Sequence, residues 1–238
     1  MHATGQVHNP RMKWHVFLLT IYASLVFPMP TTASTQPMEQ QTLSQSPRHP
    51  VVLVHGFKDT SRKMQFMASY LRKQGWTVYT PTLSPSWGQI GLDELAGQLS
   101  TFIDTTLKPG EKFDLVGFSM GGLVCRYYLQ KLDGAKRVDH FVTLGAPHRG
   151  SLWAWVVPNP GCRQMRPGSV FMNDLNGNID TLGVIKFTSI WTPFDLIILP
   201  AASSEIPRAR NERMNVIIHP LLVFDRRCLS AVADALKG

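Results

Sequence analysis

Residues 113–122 read FDLVGFSMGG. The apolar run from Phe113 to Phe118 stops at Gly-x-Ser-x-Gly, and the residues after Ser119 take up a helical period. A serine on a sharp strand-to-helix turn projects its hydroxyl off the sheet, and only residues without a bulky side chain can stand two places to either side of it. Gly117 and Gly121 meet that need. A helix that begins directly after the serine also aims free backbone N–H groups, with the positive end of its dipole, at any anion forming beside the hydroxyl. The stretch therefore predicts a buried parallel strand, a mount for a nucleophile, and half of an oxyanion hole whose first donor is the amide of Met120.

Working outward, the chain alternates strand and helix from Pro50 onward. Val51–Val54 is a β-branched and leucine run short enough for a buried parallel strand, and it ends in His55-Gly56-Phe57. Met64, Met67, Ala68 and Leu71 then lie on one helical face that Gly75 ends. Residues 76–80 form a second strand, and a helix follows with Leu92, Leu95, Leu99, Phe102 and Ile103 on one face. Beyond the serine come a helix to Gly134, a strand at Val138–Leu144, a Trp-, Pro-, Asn- and Gly-rich insertion at 148–181, strands at Val184–Trp191 and Met214–Ile218, and a closing helix. This alternation predicts an α/β fold, a mostly parallel sheet of about six strands with helices on both faces.

The composition excludes several classes. With 238 residues and 44% hydrophobic content the chain suits one substantial core. Its net charge of +8 comes with only 17% charged residues, so scarce acids contribute as much as abundant bases. The small basic groups are not interleaved with aromatics, so nucleic acid is not an expected partner. Peripheral contact with an anionic lipid surface remains open. Cys125, Cys162 and Cys228 lack metal-ligand spacing, and neither metal nor cofactor is implied. Cys125 is expected to pack in the core, while Cys162 and Cys228 are free to pair as a disulfide in an exported protein.

At the amino terminus, an apolar block at 16–27 follows Arg11 and Lys13 and precedes a proline and small-residue stretch. That layout reads as a cleaved export signal over 1–33, ahead of a flexible, Gln- and Ser-rich lead-in at 34–49 and a folded domain at 50–238. At about a dozen residues the block is shorter than the roughly twenty a membrane span needs, so an anchor is the alternative reading.

Serine is a weak nucleophile until a base takes its proton, and a histidine oriented by a buried carboxylate supplies that base. In an open parallel sheet the site lies at the carboxyl ends of the strands. Asp195 follows the strand ending at Trp191, and His219 follows the last expected strand, giving the order Ser, Asp, His. Asp174 and Asp180 precede the strand, Asp225 follows the histidine, His140 lies within a strand and His148 precedes the acid. His55 is expected to shape the loop that carries the second oxyanion donor, the amide of Phe57.

The blocks VLVHGF, GFSMGG, TLGAPHRGS, PFD with a following ILP, and a histidine before LL stand in the order found in bacterial triacylglycerol lipases and esterases, which the chain resembles over Val51 to Leu236. The resemblance implies an α/β-hydrolase that cleaves carboxylic esters of lipids or small molecules, with Ser119, Asp195 and His219 as its triad. Acyl transfer and amide hydrolysis use the same triad, and a non-catalytic binding protein of this fold is the reading from another class. The insertion then stands where a cap or acyl pocket is placed in this fold. Within it Trp153 is the candidate substrate contact, together with Phe57.

Overall fold

A computed structural model describes residues 48–238. The export signal at 1–33, the apolar block at 16–27 and nearly all of the lead-in lie outside the described residues.

Six strands pair in parallel: β1 (Val51–Val54), β2 (Val78–Tyr79), β3 (Phe113–Phe118), β4 (Val138–Leu144), β5 (Lys186–Trp191) and β6 (Arg210–Arg213), in the spatial order β2-β1-β3-β4-β5-β6. Every residue of β1 and β3 is buried. Their unbroken apolar runs follow from having helices on both faces, since alternate side chains enter two separate cores. Val52, Val54 and Leu115 pack with α2 (Leu92–Thr106), α3 (Met120–Lys131) and α5 (Val170–Gly177). On the opposite face Val51, Leu53, Val116 and Phe118 pack with α1 (Ser61–Lys73) and α6 (Arg226–Ala235).

Local chemistry sets the helix ends. The Thr60 hydroxyl accepts the Arg62 N–H at the start of α1. Asp93 and Glu94 occupy the positive end of α2, where the Glu94 carboxylate accepts the Gly91 N–H at 3.1 Å. The insertion is not irregular throughout. It forms a short 3₁₀ turn at Leu152–Trp155, α4 (Pro160–Gln164), α5 and a further 3₁₀ turn at Ile179–Val184. Among the described residues no helix is long and apolar enough to cross a membrane.

Three expectations need correction. The last strand pairs at Arg210–Arg213, not at Met214–Ile218. β6 is an edge strand with a solvated outer side, so it shows no apolar alternation, whereas Ile217 and Ile218 are exposed. β5 starts at Lys186, and Val184, expected in the strand, is exposed at the end of a 3₁₀ turn. Finally, Cys162 and Cys228 are free thiols. They belong to cores on opposite faces of the sheet, so the sheet stands between them. Cys125 is buried as expected.

Candidate active site

Ser119 sits where β3 turns into α3, with φ 54 and ψ −126. A residue with a Cβ rarely adopts this backbone conformation, which turns the hydroxyl away from both strand and helix. The glycines flanking it make the turn possible. A Cβ on Gly121 would lie 2.3 Å from the His55 carbonyl oxygen, and one on Gly117 would lie 2.6 Å from the Gly122 Cα. Helix α3 thus packs backbone to backbone on the end of β1.

The sheet delivers the other two residues to the same end. Asp195 lies in the loop after β5, and its backbone N–H donates to the Thr192 carbonyl at 3.3 Å. Its Oδ1 accepts the N–H groups of Ile197 (2.9 Å) and Ile198 (2.8 Å), which aims Oδ2 at His219 Nδ1, 2.6 Å away. Both side chains are almost fully buried. His219 follows β6 by six residues and opens a 3₁₀ turn, His219–Val223. Its loop is tied to β5 by the Thr192 hydroxyl, which donates to the Val216 carbonyl at 2.6 Å.

The His219 ring stacks on Phe118 with centroids 4.9 Å apart. Gly145, at φ +55, leaves room for it, since a Cβ there would come within 2.9 Å of His219 Cε1. With Nδ1 engaged by the carboxylate, Nε2 is left buried and without a hydrogen-bond partner among the described residues. No hydrogen bond joins it to Ser119, but both residues line one cavity of about 290 Å³.

The remaining acids and histidines named above are committed elsewhere. Asp174 pairs with Lys131, Asp180 with Arg208, and Asp225 caps α6 and holds Arg227. His140 bonds Asp114 at 2.8 Å. His148 is fully buried against the Thr143 hydroxyl, and desolvation pushes its pKa well below the ordinary histidine value. His55 accepts the Leu83 N–H at Nε2 (3.0 Å), so Nδ1 carries the proton and donates to the Gly56 carbonyl (3.0 Å). Burial lowers its pKa, against the opposing effect of that carbonyl. It braces the loop bearing Phe57, as the sequence predicts. The Phe57 N–H and the Met120 N–H, at the first turn of α3, have no acceptor among the described residues.

The cavity wall is mainly apolar. Phe57, Met120, Trp153, Ala154, Met165 and Ile198 contribute to it. Cys162 also faces the cavity, and burial raises its thiol pKa.

Besides most of the apolar wall, sequence reasoning missed four charged or hydroxyl-bearing residues at the cavity. Lys58 (φ 60), Asp59 and Lys63 stand at the mouth. Desolvation raises the Asp59 carboxyl above its ordinary value, with Lys63, His55 and His219 acting in the opposite direction. Ser151 is the fourth. Its hydroxyl donates to the Ile197 carbonyl (2.8 Å) and accepts the Leu199 (3.0 Å) and Trp153 (3.3 Å) N–H groups, so it joins the cavity wall to the Asp195 loop. The charged trio follows directly on the HGF block, a proximity visible in the sequence. The Ser151 link spans 46 residues and leaves no local mark.

A parallel sheet with a serine on the β3–α3 turn and a histidine–aspartate pair at the ends of its last two strands defines an α/β-hydrolase. The chain belongs to the palmitoyl protein thioesterase family, whose profile matches residues 50–175. That match includes Ser119 and stops before Asp195 and His219. The chain is 30% identical over 105 residues to the lysosomal thioesterase PPT2 of Mus musculus, covering 42% of this chain and 34% of that protein. It is 32% identical over 115 residues to a triacylglycerol lipase of Pseudarthrobacter phenanthrenivorans, covering 45% and 35%. The matches thus span about a third of the length of these relatives. Among solved structures, the mature Bacillus licheniformis lipase BlEst2 superposes with a TM-score of 0.67 at 19% identity, covering 81% of this chain and 93% of that one. Aspergillus fumigatus lipase B gives 0.69 at 17% identity, covering 80% and 53%. Both share the fold, and the resemblance to bacterial triacylglycerol lipases holds.

Proposed function

We propose that the chain hydrolyses acyl esters, including thioesters of long apolar acyl groups, through an acyl-enzyme formed on Ser119. The observation that carries this reading is the 2.6 Å contact between Asp195 and His219 Nδ1, which leaves Nε2 buried and unpartnered in the cavity that Ser119 lines. A neutral imidazole held that way is an acceptor in need of a proton. His219 Nε2 takes the Ser119 proton as Oγ attacks the acyl carbon, and the amides of Met120 and Phe57 stabilise the oxyanion. The imidazolium then protonates the departing alcohol or thiol. Water, deprotonated by the same nitrogen, attacks the acyl-enzyme and releases the acid. Asp195 keeps the proton on Nδ1 and stabilises the cation without itself becoming protonated.

The apolar wall favours an acyl chain over a polar side group. Thioester substrates are added to the expected carboxylic esters because of the family to which the chain belongs. Fluorophosphonate labelling with Ser119→Ala as control tests the nucleophile, and matched oxygen and thio esters of rising acyl length test the substrate. Label on the wild type that is lost in the variant, with turnover rising with chain length, is the expected result. Equal labelling of both proteins overturns the proposal.

A further inference from the structure

The mouth of the cavity has a surface that the hydrolytic chemistry does not use. Three cations there lie over aromatic rings. Lys58 Nζ is 4.4 Å from the centroid of Trp87, the Arg166 guanidinium is 4.3 Å from that of Trp155, and Lys63 Nζ is 5.1 Å from that of Phe224. All three rings face solvent, Trp87 at 53%, Trp155 at 59% and Phe224 at 38% exposure.

These groups stand beside residues that line the cavity. Lys58 and Lys63 line it, Trp155 follows the wall residue Ala154, and Arg166 follows the wall residue Met165. Trp87 precedes Gly88, which packs against Cys162 and Phe57. Leu152, Leu196 and Ile217 add exposed aliphatic groups beside them. Rings left facing water contribute little to folding, and exposed apolar groups gathered near a cavity mouth mark a surface that meets something.

The charge pattern indicates what it meets. Among the described residues, Lys58, Lys63 and Arg166 have no carboxylate within ion-pair distance. Among the described residues Asp59 is the one acid lining the cavity, against the two cations Lys58 and Lys63. Aromatic rings at headgroup depth together with unpaired cations are the two features that hold a protein on a negatively charged bilayer.

We infer that the surface formed by Trp87, Trp155 and Phe224 with Lys58, Arg166 and Lys63 docks the cavity mouth onto an anionic lipid bilayer. This deepens the acyl-hydrolase reading, because it specifies that the substrate is drawn from the membrane plane. Its test does not depend on turnover.

The full chain is sedimented with phosphatidylcholine vesicles with and without phosphatidylglycerol, at low and high salt. The wild type should bind the anionic vesicles and release as salt rises. Trp155→Ser combined with Arg166→Glu should weaken that binding by about tenfold or more, one charge being reversed near the surface. The paired change Trp155→Phe with Arg166→Lys should restore it. Hydrolysis of a soluble acetate ester should be unchanged in both variants, since neither residue lines the cavity. Binding that ignores lipid charge, or that is equal in wild type and reversed-charge variant, overturns the inference. So does a change in the association state of the protein itself in place of vesicle binding. A wild type that docks but turns over no ester would sink the hydrolase proposal alone.

Discussion

Replacing Asp195 with asparagine isolates one proton. The carboxylate Oδ1 accepts two backbone N–H groups, from Ile197 and Ile198, at 2.9 and 2.8 Å. An asparagine can accept both only by placing its carbonyl oxygen there, which puts the NH₂ where Oδ2 now faces His219 Nδ1 at 2.6 Å. The NH₂ can only donate, so Nδ1 must become the acceptor and the imidazole proton moves to Nε2. Nε2 then cannot take the Ser119 proton. The bonds are kept in number and shape, so stability should change by no more than about 1 kcal/mol, while kcat should fall by roughly ten-thousand-fold. Thermal melting and turnover of a short nitrophenyl ester measure the two effects. Nitrogen NMR of the His219 ring should report the switched tautomer. Activity within tenfold of wild type, with the tautomer switched, would refute the assignment of His219 as base.

Other outcomes follow from the same geometry. Gly121→Ala sets a methyl 2.3 Å from a backbone oxygen that cannot step aside, so it should cost more than about 3 kcal/mol and lower the Tm by about 6–12 °C; a wild-type melt would contradict the packing of α3 on β1. Trp153→Ala removes part of the apolar wall, and turnover of long acyl esters should drop about tenfold further than that of acetate esters; equal losses on both would assign Trp153 to folding. His148 and His55 are buried with lowered pKa values, so the unfolded chain binds protons that the folded chain does not. Stability should accordingly be complete above about 6.5, the ordinary histidine value, and decline below it by up to about 1.4 kcal/mol per pH unit for each histidine. Denaturant melts of wild type and His148→Gln between neutral and acid pH measure this, and an unchanged slope in the variant would count against it.

The parts of the fold that could be read from sequence are those where burial is two-sided. β1 and β3 are nearly continuous apolar runs because helices cover both faces, β4 keeps an apolar stretch at Phe141 and Val142 between polar residues, and the Gly-x-Ser-x-Gly turn needs its glycines within five residues. β6 is not legible in the sequence because Arg210–Arg213 has one neighbour and a wet side, so hydrogen bonding and not hydrophobicity defines it. The insertion concealed α4 and α5 because helices of five and eight residues carry too few turns for a clear period. The charged mouth is hidden for another reason. Lys58, Asp59 and Lys63 look like ordinary solvated loop and helix residues until the chain folds the Trp87 and Phe224 segments against them.

The single hydroxyl of Ser151 restricts how this scaffold can be re-engineered. Because it spans both the pocket lining and the turn that presents the carboxylate, a designer who enlarges the acyl groove there would also loosen the imidazole. Ile198 is itself one of the amides clasping that carboxylate, so its backbone must stay fixed even when its side chain is trimmed. Chain-length preference is best retuned from the Trp153 and Met165 side, where side chains reach the groove without gripping the acid.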